Sequence, residues 1–348
     1  MKLMNLKHRT TALTLVMSSL VGSLLSARPA LAVINGAGAT FPYPLYSKWF
    51  SEYQKLKPEV QINYQSIGSG GGIRQFLEGT VDFGASDAPM SEEQLAKAKA
   101  GALHIPTALG AVVLTYNITG VTGSLKLTGP IVADIFLGKT KSWNDPAIVK
   151  ENPGVALPSS PILVVHRSDG SGTSQVFTDY LSKVSPEWKS KVGAATAVNW
   201  PVGLGGKGNE GVTSLVKQTP GAIGYVELIY AENNKLQVAQ LKNKSGAFVT
   251  PSAKSVTAAA AGALKNMPAD FRVSITESEG KDSYPISAFT YLLISQKLPA
   301  GEKSQQLVGF LNWAVTDGQK FAEKLTYAPL PAPLVPKVAA KIKTIRIE

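Results

Sequence analysis

The stretch Pro161-Ile162-Leu163-Val164-Val165-His166-Arg167-Ser168-Asp169-Gly170-Ser171-Gly172-Thr173-Ser174 decides how this chain is read. Its apolar, partly β-branched start reads as a buried strand. Asp169-Gly170 is turn chemistry and stops it. Apolar residues return at Val176, Phe177, Tyr180 and Leu181, the spacing of one helix face. Arg167 to Thr173 thus lies between a strand end and a helix start. Such a loop presents unpaired backbone N–H groups at the positive end of a helix dipole. Its glycines let the backbone approach closely, its hydroxyls add donors, and Arg167 adds a fixed charge. That combination suits an oxyanion.

The same order of strand, Gly/Ser loop and helix recurs upstream. Val60–Gln65 alternates apolar and polar residues as a strand does, and Gly68-Ser69-Gly70-Gly71-Gly72 follows it. Ile73, Phe76 and Leu77 then mark a short helix stopped by Gly79. Near the start, Val33 to Phe41 leads into Pro42 and Pro44, which suit a first helical turn. Leu45, Trp49 and Tyr53 form one face of that helix, with Thr40 and Phe41 at its N-terminal end. Val81 to Ser86 reads as a strand running into Asp87-Ala88-Pro89, and Ser91-Glu92-Glu93-Gln94 opens a capped helix ending near Gly101.

Downstream, Ala111–Tyr116, Ile223–Val226 and Tyr291–Ile294 read as strands. Helices are expected from Gly129 to Phe136, from Asp145, over Ala253–Leu264 and over Leu307–Leu325, with a wrapping proline-rich run from Pro329 to Pro336. Strands alternating with helices define an α/β protein with mostly parallel sheets. Ligands of such sheets bind outside the carboxyl ends of the strands, where the three Gly/Ser loops fall.

The 348 residues suffice for two domains, and the formal net charge of +11 favours anionic ligands at long range. The lysines are scattered, without the basic tract of a nucleic-acid binder. Residues 1–32 read as a secretory signal: a basic start, a short apolar core from Thr11 to Leu25, then Ala30-Leu31-Ala32. Cleavage after Ala32 leaves Val33 as the first mature residue and points to a soluble periplasmic protein. There is no cysteine, which rules out disulfides, thiolate nucleophiles and thiolate metal sites. Of three histidines, His104 and His166 lack ligand spacing, so neither a metal nor a cofactor is expected.

Enzyme motifs fare poorly. No Gly-Lys pair is followed by Ser or Thr, so there is no Walker loop. Gly203-Leu204-Gly205-Gly206-Lys207-Gly208 has dinucleotide spacing, but Pro201 interrupts the strand that should precede it, and a plain glycine loop is expected. Ser69 and Ser171 lack the glycine two residues earlier that a nucleophile elbow needs, since Ile67 and Asp169 stand there. No catalytic residue is assigned. Asp87 is the most informative side chain. A carboxylate can only accept hydrogen bonds, so hydrogen phosphate can donate to it and fully ionised sulfate cannot.

Gly36–Pro42, Gly68–Gly72, Val81–Pro89, Arg167–Ser174, Trp200–Gly211 and Pro220–Glu227 together resemble the periplasmic phosphate-binding proteins of high-affinity phosphate ABC transporters, in order along nearly the whole mature chain. The resemblance implies a two-lobed type II periplasmic-binding-protein fold with a hinge of two crossing strands. Residues 33–108 plus 285–348 would form lobe I, and 109–284 lobe II. It implies phosphate contacts from Ala39, Thr40, Phe41, Ser69, Asp87, Arg167, Ser171, Gly172 and Thr173, with Asp169 bracing Arg167. It also implies a monomer that delivers phosphate to membrane permease subunits. His166 stands where some relatives carry a second basic residue, and Gly70 where others carry Ser. Sulfate or another oxyanion is the alternative ligand, and an exported phosphate-ester hydrolase the alternative class.

Overall fold

The computed structural model describes residues 31–348; the expected signal segment lies outside them except for Leu31 and Ala32. The chain opens with β1 (Ala32–Gly38), α1 (Tyr43–Leu56), β2 (Val60–Ser66), α2 (Ser69–Glu78), β3 (Phe83–Ser86), α3 (Glu92–Lys97) and the long β4 (Ala102–Tyr116). There follow β5 (Lys126–Leu127), α4 (Gly129–Phe136), α5 (Pro146–Glu151), β6 (Leu163–Arg167), α6 (Gly172–Val184), α7 (Pro186–Lys191), β7 (Leu204–Gly206), α8 (Gly208–Gln218) and β8 (Ala222–Glu227). Then come α9 (Leu228–Asn233), β9 (Gln237–Val238), β10 (Gln240–Lys242), β11 (Phe248–Val249) and α10 (Ala253–Ala263). The chain closes with β12 (Ser287–Ser295), β13 (Lys297–Leu298), α11 (Glu302–Val315), α12 (Val335–Ile342) and β14 (Arg346–Ile347).

The main sheet runs β2-β1-β3-β12-β4-β8-β6-β7. Its flanks are parallel: β2, β1 and β3 on one side, β8, β6 and β7 on the other. The centre is antiparallel, through β12 and β4. The sheet is therefore mixed, with its parallel part confined to the two flanks. β4 joins them. Residues 102–111 pair with β12, and Val112–Tyr116 pair with β8. The register of β12 on β4 slips between Thr290 and Tyr291. Pro106 sits beside that irregularity, where a missing ladder donor is tolerated.

The apolar positions explain the packing. Leu45, Trp49 and Tyr53 are buried, and Phe310 of α11 meets Tyr53 edge-on at 5.4 Å. In the other flank Phe177 packs on Phe136 and stacks on Tyr225 at 4.3 Å. Such aromatic pairs add to area burial.

Several elements differ from the sequence reading. β4 has fifteen residues rather than the six of Ala111–Tyr116. From Leu103 on every residue is buried, which removes the alternation that marks a half-exposed strand. The helix after Ser91 ends at Lys97, short of Gly101. The helix over Leu307–Leu325 stops at Val315 and continues as 3₁₀ turns. The proline run does not wrap throughout, because Pro336 enters the first turn of α12. Gly203–Gly208 is an edge strand running into a helix rather than a plain loop, with Pro201 just ahead of the strand rather than inside it. Gly70, Gly71 and Gly72 belong to the first turn of α2.

Candidate functional site

Four helix starts converge beside the central strands. They are the β1–α1 turn at Thr40 and Phe41, the start of α2 at Ser69, the start of α6 at Gly172, and the start of α8 at Gly208 and Asn209. Each offers N–H groups that no preceding turn can satisfy. Among the described residues, the N–H groups of Thr40, Phe41, Ser69, Gly172 and Thr173 have no internal hydrogen-bond partner, and all five residues are buried. Buried unpaired donors are costly, so this concentration marks a place built for an acceptor.

Close approach explains two glycines here. A Cβ on Gly172 would lie 2.4 Å from Ser69 Oγ and 2.6 Å from Asp87 Oδ2. Gly68 has φ +87°, and a Cβ there would lie 2.3 Å from Asp169 Oδ2. The Gly70 N–H donates to the Gly170 carbonyl at 2.9 Å, joining the two loops.

The two aspartates have opposite surroundings. Asp169 accepts from Arg167 Nε at 2.7 Å and Nη2 at 2.5 Å, and from the Gly208 N–H at 3.0 Å. Burial alone would raise its pKa, but the hydrogen bonds and charge of Arg167 outweigh it and hold the carboxyl below its usual value. Asp87 forms no ion pair among the described residues. Burial pushes its pKa up to about 7, against the Thr290 hydrogen bond, the Arg167 charge and Ser69, which pull it down. Thr290 donates to Asp87 Oδ1 at 2.8 Å, and the Asp87 N–H donates to Ser69 Oγ at 3.2 Å. A cavity of about 210 Å³ flanks Asp87, with Val176, Ile275 and Phe289 in its wall. From the sequence Asp87 is a plain carboxylate; burial here moves it toward its neutral form. At a pKa near 7 the group can accept a hydrogen bond when ionised and donate one when protonated.

The expected site residues come together, with unequal resources. Thr40, Phe41, Ser69, Asp87, Arg167, Ser171, Gly172 and Thr173 are all buried around this point. Ser171 spends its N–H on the Thr196 carbonyl, and its Oγ caps α6 by accepting from Ser174, which leaves its hydroxyl proton to give. Ala39 is different. Its N–H is given to Ala85 O and its carbonyl accepts from Tyr64, so it lines the site with little left to donate. His166 stacks on Trp200 at 4.9 Å, and its Nδ1 donates to the Arg167 carbonyl at 3.0 Å. It packs rather than joining the loops.

Sequence reading missed Asn209, Thr290 and Tyr230. Asn209 follows Gly208 at the start of a helix, a signal obscured by the reading of Gly203–Gly208 as a loop. Thr290 is a hydroxyl inside the apolar run Ala288–Ile294, and a buried polar residue there is informative. Tyr230 donates to the Thr40 carbonyl at 2.6 Å, a contact 190 residues apart that no local pattern shows.

A PBP superfamily domain matches residues 25–318, which sets the class of this fold. A phosphate-binding protein PstS of Xylella fastidiosa is 49% identical over 308 residues, covering 88% of this chain and 84% of that protein. The PstS of Pasteurella multocida is 49% identical over 312 residues, covering 89% and 90%. A PstS of Methanocaldococcus jannaschii is 42% identical over 315 residues, covering 84% and 81%. The chain belongs to the PstS family of phosphate-binding proteins. Solved structures share the fold. A phosphate-binding protein from Stenotrophomonas maltophilia aligns with TM-score 0.67 at 21% identity, covering 88% of this chain and 93% of the other. An ABC-type phosphate transport receptor from Vibrio cholerae aligns with TM-score 0.55 at 17% identity, covering 86% and 100%.

Proposed function

We propose that this chain is an exported protein that captures inorganic phosphate without turnover and hands it to the permease of a phosphate ABC transporter. The observation that carries the reading is the convergence of unspent N–H and hydroxyl donors on one carboxylate, Asp87, opposite the braced guanidinium of Arg167. Thr40, Phe41, Ser69, Arg167, Ser171, Gly172 and Thr173 replace the water shell of the ion, with Ala39 as wall. Charge-assisted hydrogen bonds of this kind are strong, and stronger when water is excluded. Asp87 and the ligand share one proton, which hydrogen phosphate donates to the ionised carboxylate.

Residues 33–108 and 285–348 form lobe I and residues 109–284 lobe II in this reading. It is supported by β4, whose partners change from β12 to β8 between Ala111 and Val112, and by the chain's return into β12 at Ser287. Gly70 to Gly170 and Thr40 to Asn209 are then contacts across the cleft, so the arrangement described is the closed one. A closing pair of lobes presents a different surface to a permease when loaded. The protein works as a periplasmic monomer after cleavage behind Ala32. Cleavage there removes the first residue of β1, which pairs with Val60; among the described residues no helix is long and apolar enough to cross a membrane.

Isothermal titration of the purified chain tests the reading. Saturable binding of one phosphate, with no release of chromophore from a phosphate ester, is expected. Turnover of the ester, or heat with sulfate and none with phosphate, would overturn it.

A further inference from the structure

The segment Gly206-Lys207-Gly208-Asn209 supplies the fourth helix start, and its asparagine touches groups on both sides of the site. Asn209 is fully buried. Its Oδ1 accepts from the Glu227 N–H at 3.0 Å, which fixes the orientation of the amide and turns Nδ2 toward the hydroxyls. Nδ2 donates to Thr40 Oγ1 at 2.7 Å and, at a longer 3.3 Å, to Thr173 Oγ1. The Asn209 backbone N–H also donates to Thr40 Oγ1, at 3.2 Å. Arg167 Nη1 donates to Thr173 Oγ1 at 3.4 Å.

A threonine hydroxyl has one proton to give and two lone pairs to receive. Thr40 Oγ1 receives two N–H groups, both from Asn209. Thr173 Oγ1 receives two, one from Asn209 and one from Arg167. With their lone pairs taken, both hydroxyls are left with a proton to give and nothing more to accept. We propose that Asn209 is a positioning residue that sets Thr40 and Thr173 as obligatory donors toward the bound ion. The consequence is selectivity. Hydroxyls free to rotate could accept a proton from any protonated oxygen of the ligand; the donor-locked hydroxyls of Thr40 and Thr173 cannot, so a ligand proton is turned away from them and toward Asp87. The inference rests on the phosphate-binding reading and deepens it.

Asn209→Asp keeps the side-chain shape and replaces the amide donor with an acceptor, so each threonine would turn its proton toward it. Phosphate binding measured by calorimetry should weaken by roughly 10- to 100-fold, the scale of losing hydrogen bonds to a charged ligand. The decisive readout is a double-mutant cycle with Thr40→Val. Thr40→Val should cost about tenfold or more in the wild-type background and much less in Asn209→Asp or in the uncharged Asn209→Ala. Additive losses would mean a merely structural or charge effect and would overturn the proposal, as would wild-type affinity in Asn209→Asp. Neutron diffraction of the wild-type protein with phosphate gives the same answer without a variant. Thr40 and Thr173 deuterons directed at phosphate oxygens are expected, and deuterons directed at Asn209 would overturn it. Absence of phosphate binding by the wild-type chain would instead strike the functional reading itself.

Discussion

Asp87 and Asp169 are the same residue on the two flanks of one site, and they do opposite things. Asp169 is clasped by the Nε–Nη2 edge of the Arg167 guanidinium and by a backbone N–H, so it stays ionised and cancels most of the arginine charge. Asp87 accepts from the hydroxyls of Thr290 and Ser69, and burial pushes its pKa up to about 7. The second flank thus brings a nearly neutral pair and the first a carboxyl that can hold or release a proton. An anion enclosed here meets dipoles more than net charge, and the proton count is settled on the first flank alone.

Removing the clasp should have the largest effect. Arg167→Ala strips a buried guanidinium from the ligand and leaves Asp169 unpaired. Truncating one partner of a buried charged pair costs about 2–5 kcal/mol, so phosphate affinity should fall by roughly 30- to several-thousand-fold in calorimetry. An unchanged affinity would put the ion elsewhere.

The proton on Asp87 predicts a stability signature. Its folded pKa lies above the ordinary carboxylate value, so between about pH 4 and pH 7 the folded chain holds a proton that the unfolded chain has released. Stability of the ligand-free protein from this group therefore falls as pH rises through that window and is level above it. Asp87→Asn should flatten this part of the profile and make the ligand-free protein more stable than wild type at pH 8, by about 4 kcal/mol at most. Denaturant titrations across the window measure it; an unaltered slope would mean Asp87 ionises normally.

Asp169 carries the opposite sign. Its lowered pKa contributes stability that is present above about pH 4 and is lost as pH falls through the folded value. Asp169→Asn should remove that acid-side loss and loosen Arg167, weakening phosphate by about tenfold. Equal affinity with and without the carboxylate would show that the guanidinium needs no brace.

The smallest effect belongs to Thr290. Its hydrogen bond lowers the Asp87 pKa, so Thr290→Val should raise it further and shift the pH at which sulfate is excluded upward. Phosphate affinity should drop by only about threefold to tenfold, the worth of one hydrogen bond. A shift to lower pH would contradict the assignment.

The contrast was partly legible in the sequence. Asp87 is legible through proton counting, since a carboxylate can only accept hydrogen bonds, and the Arg167–Asp169 loop because turn and helix signals bracket it. The faces of α1 and α2 were readable from Leu45, Trp49, Tyr53, Ile73 and Phe76, which are buried as their spacing requires. What stayed hidden depends on long-range packing. Residues 102–110 mix His104, Pro106 and Thr107 into an apolar run, and the strand there is set by β12 rather than by local preference. The glycines of α2 disfavour a helix locally; a Cβ on Gly72 would lie 2.5 Å from Gly38 Cα, so close packing of the helix on β1 requires them. Asn209 and Thr290 gain meaning only from partners about 170 and 200 residues away.

Competition between sulfate and phosphate, followed from pH 5.5 to pH 8.5 in the wild-type chain and in Asp87→Asn, bears most directly on the claim that one carboxyl counts the ligand's protons. The wild-type preference for phosphate should steepen through about pH 7, and the variant should show a weaker preference that does not change with pH beyond the titration of phosphate itself. Identical curves for the two proteins would contradict it.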